Sequence, residues 1–378
     1  MPLHSAIAPE LVAEGVRMAS ICNACRYCEG YCAVFPALER RLDFAEGDLA
    51  YLANLCHNCG SCYHACQYAP PHEFNLNFPR MLADVRGASY RKYAWPDALA
   101  RLFERNGFVL SLATAAMLSL FLAGIGYAAG GTAFFAAHPD SEGAFYAVMP
   151  HAAMAWSFGI VFAFAIVALG VGAARFWKDA GERPRDFAAA APLGEAVVDT
   201  LTLKYLGGGG DGCTYPDERP SQLRRVFHHC TFYGFALCFA STCVATIYHY
   251  VLHLPAPYPL DSLPVALGAV GGLGLLIGPL GLLWLKAGLD SPLASPKQTG
   301  MDVAFTALLI LVSSTGLLLL ALRETAAMGA LLAVHLGAVM AFFLTLPYGK
   351  FVHAVYRFAA LVRHHLERKR PLPEIGSE

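Results

Sequence analysis

The sequence predicts an all-α protein: a small helical N-terminal head followed by a six-helix transmembrane bundle. Three observations carry this. Hydrophobic residues make up 56% of the 378-residue chain and charged residues 15%, where soluble proteins carry roughly 25% charged. Six apolar segments of about twenty residues, enough to cross the hydrocarbon core, fill the region after residue 107. Eight of the twelve cysteines instead lie within the first 66 residues, among short stretches poor in β-branched residues that read as helices.

Those cysteines organise the head, residues 1–80. Cys22, Cys25, Cys28 and Cys32 are spaced C-x2-C-x2-C-x3-C, and Cys56, Cys59, Cys62 and Cys66 repeat that spacing. Such a run holds a [4Fe-4S] cluster, with three thiolates closing on the cubane from one tight turn and the fourth one helical turn further on. Two runs imply two [4Fe-4S] clusters and an α-helical ferredoxin-like head. In two-cluster ferredoxins the fourth cysteine of each run ligates the other run's cluster. On that pattern Cys22, Cys25, Cys28 and Cys66 hold one cluster, and Cys56, Cys59, Cys62 and Cys32 the other. Zinc would leave the third and fourth cysteine of each run unused, and disulfides need an oxidising compartment for which nothing here argues. Ala33 and Gln67 follow the last cysteines, where many cluster motifs have proline; this weakens the turn, not the ligation. Helices are expected at 9–18 and 44–55, after which Pro70, Pro71 and Pro79 should break the chain into an extended wrap. Glu10, Glu14 and Arg17, with no apolar core around them, exclude a signal peptide.

An interfacial linker, 81–107, comes next. With Arg80 before it, its Arg86, Arg91, Lys92, Tyr90, Tyr93 and Trp95 form a basic and aromatic collar suited to lipid headgroups. The membrane domain, 108–353, has spans at 108–129, 152–173, 227–252, 263–285, 303–322 and 328–346. Lys and Arg number 10, 8, 2 and 6 in 1–107, 174–226, 286–302 and 347–378, while the loops on the other side hold only Arg323. The positive-inside rule then puts both termini and the clusters in the cytoplasm of a multi-pass protein of the bacterial inner membrane. Residues 354–378 read as a cytoplasmic tail. The inner loop, 174–226, contains Gly207 to Gly210, then Asp211, Gly212 and Cys213. Four glycines without dinucleotide or Walker spacing are weak evidence for a phosphate cradle and, taken alone, read as a flexible connector. No basic patch suggests nucleic acid.

Ionisable residues inside apolar spans must be neutralised, paired or ligated, which makes the membrane histidines candidates. His335 lies in the sixth span and His353 18 residues later. On a continuous helix that is five full turns, one face and a separation of about 27 Å. His228 and His249 in the third span are 21 residues apart, about 60° off a common face and about 31 Å in rise. Because these spans run antiparallel, His228 meets His353 near the cytoplasm and His249 meets His335 nearer the outside. Each pair would clamp a b-type haem by bis-histidine ligation, giving one or two haems, with His151 a spare outer ligand. The competing reading, imidazoles snorkelling to headgroups, suits His151, His228, His229 and His253 taken singly but not His335. Cys213, Cys230, Cys238 and Cys243 lack metal spacing and read as small buried hydrophobes. The glycines of 268–281 read as positions of close helix approach.

The two cysteine runs, His72-Glu73-Phe74-Asn75 to Pro79, Leu203-Lys204-Tyr205-Leu206 through Gly207 to Pro220, and Arg224-Arg225 to Tyr233-Gly234-Phe235 cover most of the chain. With them it resembles the tricarballylate-utilisation protein B family, also called citrate-utilisation protein B (TcuB/CitB), and is similar to the C-terminal part of the cobalamin ring-contraction enzyme CobZ. Pro347 to His353 is similar to the closing segment of the haem-binding nitrate-reductase gamma family, where two histidines are also spaced by eighteen. The resemblance implies an electron-transfer protein that reoxidises the reduced FAD of a cytosolic tricarballylate dehydrogenase-like flavoprotein and passes the electrons to quinone in the membrane. It also makes the inner loop a partner-docking or interfacial element. The residues alone reach a one-electron wire, with no catalytic residues and no Rossmann fingerprint for a flavin of its own. Two other readings are an electron-transfer auxiliary of cobalamin ring contraction, which should carry a flavin domain, and a non-redox anchor for a flavoprotein, which would need no cluster ligands.

Overall fold

A computed structural model describes residues 7–138 and 143–371, so the ends of the expected head and tail, 1–6 and 372–378, lie outside the described residues. The head opens with α1 (Pro9–Cys25). Proline starts this helix where its missing amide has no partner to lose, and Arg26 stops it in the left-handed conformation (φ 55°). Then come α2 (Val34–Leu38), α3 (Glu46–Leu55), α4 (Ser61–His64) and α5 (Phe78–Tyr93). Pro79 belongs to the first turn of α5, and Asn77 caps it by accepting the Arg80 amide at 3.2 Å. The expected extended wrap is therefore a series of turns ending in a helix.

That helix is not a headgroup collar. Arg86 is 4% exposed, Tyr90 and Tyr93 are buried, and the Lys92 ammonium lies 2.7 Å from both Glu46 and Asp179. The basic residues of α5 find carbonyls and carboxylates inside the head, so they do not turn to lipid.

The chain continues through α6 (Asp97–Gly130), α7 (Ala144–Val148), α8 (His151–Asp179), α9 (Ala190–Leu201), a hairpin of β1 (Cys213–Thr214) and β2 (Pro220–Ser221), α10 (Leu223–Tyr250), α11 (Leu263–Ala287), α12 (Pro296–Leu322), α13 (Met328–Thr345) and α14 (Val352–Arg368). Among the described residues six helices, α6, α8 and α10 to α13, are long and apolar enough to cross a membrane. In the bundle α13 packs on α6 and α12, and α11 lies between α10 and α12. Glycines line the seam between α10 and α11. A Cβ on Gly271 would stand 2.8 Å from the Cys238 amide nitrogen, and one on Gly234 2.8 Å from that of Leu275, so any side chain there would force the helices apart.

The head core takes residues from three separate parts of the chain: the first 93 residues, the end of α8 with α9 (Phe176, Trp177, Ala196), and α14. The apolar positions Val352, Tyr356, Ala359 and Ala360 recur at i, i+4, i+7 and i+8 and are all buried. The expected cytoplasmic tail is thus a core helix as far as Arg368. A buried ion cluster latches its end. Arg41 pairs with Asp48 at 2.7 Å and with Glu367, Arg363 Nε lies 3.0 Å from Glu367, and the Tyr51 hydroxyl donates to Glu367 at 3.0 Å.

Between α13 and α14 the chain turns at residues 346–351. Leu346 keeps helical angles (φ −48°, ψ −49°), but Pro347 has no amide to continue the ladder. His335 and His353 therefore do not ride one continuous helix, and the five-turn argument for a shared face does not hold.

Removing one partner from a buried ion cluster costs about 3–5 kcal/mol. Glu367→Ala, which leaves Arg41 with Asp48 alone and Arg363 with the longer contacts to Asp48 and Glu182, should lower the stability of the head by up to that order in denaturant unfolding followed in detergent. An unfolding midpoint equal to wild type would contradict the role given to α14.

Candidate functional site

All eight head cysteines gather in one place, because each sits where a helix ends or a loop turns sharply. Cys22 and Cys25 occupy the last turn of α1, Cys56 ends α3 and Cys62 lies in α4. Asn58 (φ 50°) and Gly60 (φ 84°) bend the loop that carries Cys59. The cysteines line two neighbouring cavities. One, of about 250 Å³, is bounded by Cys22, Cys25, Cys28, Cys66 and Cys62, with Tyr27 at its edge. The other, of about 20 Å³, is bounded by Cys32, Cys56, Cys59 and Cys62.

Burial first, and neighbouring thiols second, push Cys22 and Cys28 up to about 12 and hold Cys32 and Cys62 well above the usual thiol range. Thiols crowded in a low dielectric cannot ionise alone; a bound cation lets them, and an iron cluster supplies one. Among the described residues no three His, Cys, Asp or Glu side chains converge tightly enough for a single metal ion. The eight thiols are the donor type that [4Fe-4S] clusters take, four to each.

The inner loop is a lid over the second cysteine run rather than a flexible connector. Gly208, Gly209, Gly210 and Gly212 all have positive φ, which lets the backbone lie flat on the head. A Cβ on Gly60 would collide with Thr214 O, and one on Gly208 would stand 3.0 Å from Ser61 Oγ. Cys213 is fully buried beside Cys59. The adjacent Cys213 side chain, ahead of Ser61, lowers the Cys59 thiol from its ordinary value, and Cys59 with burial raises that of Cys213. The Cys213 thiol donates to Leu206 O at 3.0 Å. The sequence reading missed this neighbour; the glycine run was the feature that could have flagged it.

Of the four histidines singled out, two come together. The rings of His228 on α10 and His353 on α14 have centroids 6.1 Å apart. A metal between two imidazoles, with bonds of about 2 Å, sets ring centres about 6 Å apart. His353 Nδ1 lies 2.6 Å from Lys350 O, which places the ring hydrogen there and leaves Nε2 free to ligate. His228 Nδ1 is buried with no hydrogen-bond partner.

The outer pair is not assembled. His249 stacks on His151 at 3.7 Å between centroids and meets the Tyr146 hydroxyl at 3.3 Å, whereas His335 lies 3.1 Å from Thr315 Oγ1. The two sit at different depths. His249 is next to the last residue of α10, while His335 is seven residues inside α13, about 10 Å deeper at helical rise.

The histidine pair adjoins the second cysteine run. Arg357, one turn beyond His353, donates to Cys56 O at 2.8 Å. Burial first, then the Arg357, Arg224 and His228 side chains, hold His57 well below its ordinary value.

The model of the family Citrate utilization protein B matches residues 101–374, and that of the Citrate utilization protein B Fer4-like domain matches residues 15–92. The chain is 50% identical over 372 residues to Citrate utilization protein B of Escherichia coli, covering 97% of this chain and 96% of that protein. No solved structure matches.

A Cβ at Gly212 (φ 111°) would stand 2.7 Å from Ser221 O, so Gly212→Val should lift the lid. Cys213, resistant to maleimide in the folded wild type, should then react at a rate approaching that of an exposed thiol. Equal protection in both proteins would contradict the lid.

Proposed function

The chain belongs to the citrate utilization protein B family, and on that footing we propose that it is a membrane electron-transfer protein that reoxidises the reduced FAD of a cytosolic tricarballylate dehydrogenase-like flavoprotein and passes the electrons to quinone. The observation that carries this reading is the division of eight cysteines between two adjoining cavities, with a pair of facing, half-buried imidazoles on the two helices whose Arg224 and Arg357 bond the loop of the second. Bound there, two [4Fe-4S] clusters and a b-type haem would supply one-electron relays between a two-electron flavin and quinone.

The residues divide the work. Cys22, Cys25, Cys28 and Cys66 form the first site, whose rim residue Tyr27 is 67% exposed; the flavoprotein approaches here. Cys32, Cys56, Cys59 and Cys62 form the second, covered by the lid. His228 and His353 hold the inner haem, with Lys350 O fixing the His353 ring. The 26 to 1 distribution of Lys and Arg between the two sides supports both termini and the head lying in the cytoplasm of a bacterial inner membrane. A non-redox anchor accounts for neither the crowded thiols nor the facing imidazoles. The E. coli relative's name speaks of citrate utilization, which fits a partner acting on a tricarboxylic acid.

Cys59→Ser should remove about half the iron and labile sulfide, since one of two clusters depends on it; full iron content would refute the assignment. His353→Ala should abolish the low-spin spectrum of the inner haem or convert it to high spin while leaving labile sulfide unchanged. A low-spin haem spectrum of wild-type intensity in that variant would contradict the ligand pair.

A further inference from the structure

The two cysteine sites differ in the charge around them. Three guanidinium groups, each from a different helix, converge on the loop that carries Cys56 and Cys59. Arg86 of α5 donates to Cys56 O at 2.6 Å and to Ala53 O at 3.3 Å. Arg357 of α14 donates to Cys56 O at 2.8 Å and to Asn54 O at 3.2 Å. Arg224 of α10 donates to His57 O and Asn58 O, both at 2.8 Å, with its plane 4.3 Å from the centre of the Tyr215 ring. Among the described residues none of the three is ion-paired with a carboxylate.

Arg86 is buried and Arg224 and Arg357 are half-buried, and cations so shielded from water without counter-charges are costly and seldom kept. Here the missing anion is the site itself. Four thiolates outweigh the charge of a cubane core, and reduction adds one more negative charge. Near the first site the cations are of another kind. Arg26 is exposed and donates to Asn23 O, while Arg41 is already paired with Asp48 and Glu367. Exposed charge is screened by water and paired charge is cancelled. A hydrogen bond onto sulfur adds to the contrast, since the Asn58 amide donates to Cys56 Sγ at 3.3 Å.

We propose that Arg86, Arg224 and Arg357 hold the site of Cys32, Cys56, Cys59 and Cys62 at a higher reduction potential than the site of Cys22, Cys25, Cys28 and Cys66. This rests on the two-cluster reading above. Unscreened positive charge favours the more negative, reduced state of a cluster, and net charge and hydrogen bonds to sulfur are among the levers on its potential. One electron then leaves the first cluster, which is oxidised, and reduces the second, running downhill from the exposed site to the one beside His228 and His353. The arginines are positioning residues for charge and bind no iron.

The test is a redox titration of purified full-length protein followed by electron paramagnetic resonance, with iron and labile sulfide counted in the same samples. Wild type should reduce in two steps, and Cys59→Ser, which keeps only the first cluster, should retain the lower one. Arg224→Gln and Arg357→Gln should each move the upper step to lower potential and leave the lower step in place. Arg224→Lys, which keeps the charge, should move it far less, and Arg26→Gln should move neither. Two clusters with an unmoved upper step, a shift of the lower step, or equal shifts for Lys and Gln at position 224 would overturn the inference alone. Fewer than two clusters in wild type would overturn the two-cluster reading as well.

Discussion

A helix that begins at Val352, after the sixth long apolar helix, and enters the core of the head fixes the distance between the cysteine sites and the histidine pair. Along α14, His353 faces His228, Tyr356 packs among Tyr90, Tyr93 and Phe176, Arg357 reaches the carbonyl of Cys56, and Glu367 closes the ion cluster with Arg41. Four residues of one helix therefore separate a candidate haem ligand from a hydrogen bond to a candidate cluster ligand. A flexible tether at this point would leave the distance from the cysteine sites to the histidine pair unfixed. Burying α14 makes the head and the bundle one body.

The head also shows how polar groups are kept in a low-dielectric interior. Arg41, Arg363 and Lys92 are neutralised by carboxylates, so their role is structural. Arg86, Arg224 and Arg357 are given only carbonyls, and these lie around Cys56 and Cys59. Carbonyl dipoles reduce the cost of a buried guanidinium without cancelling its charge, so the field survives to act on whatever the thiolates hold. The glycine lid has the same logic in reverse. It brings backbone and the Cys213 thiol over Cys59 and keeps bulk water from screening the site.

What the sequence made legible was chemistry that depends on local spacing. The doubled cysteine run picked out the eight cysteines that the fold gathers around two cavities, and hydropathy picked out the six long apolar helices, because both patterns are set by residues adjacent in the chain. The His228 and His353 pairing was also anticipated, although through a continuous helix that Pro347 interrupts. The parts that escaped are those decided by distant contacts. Arg86 and Lys92 of α5 read as part of a headgroup collar because their acceptors, Cys56 O and Asp179, lie far away in sequence. Residues 354–368 read as a tail because a core partner for Tyr356 and Ala359 is invisible locally. Cys213 read as filler because only the folded glycine run brings it to Cys59. His249 and His335 were paired by rise along ideal helices, whereas their real depths differ.

The central claim, that one chain holds two iron-sulfur clusters in its head and haem at the head's membrane face, is tested most directly by analysing anaerobically purified protein for metal, labile sulfide and reduced-minus-oxidised absorbance. The account predicts about eight cluster irons and about eight labile sulfides per chain, with a b-type haem band appearing on reduction. Zinc in place of iron, or iron without labile sulfide and without a haem band, would contradict it.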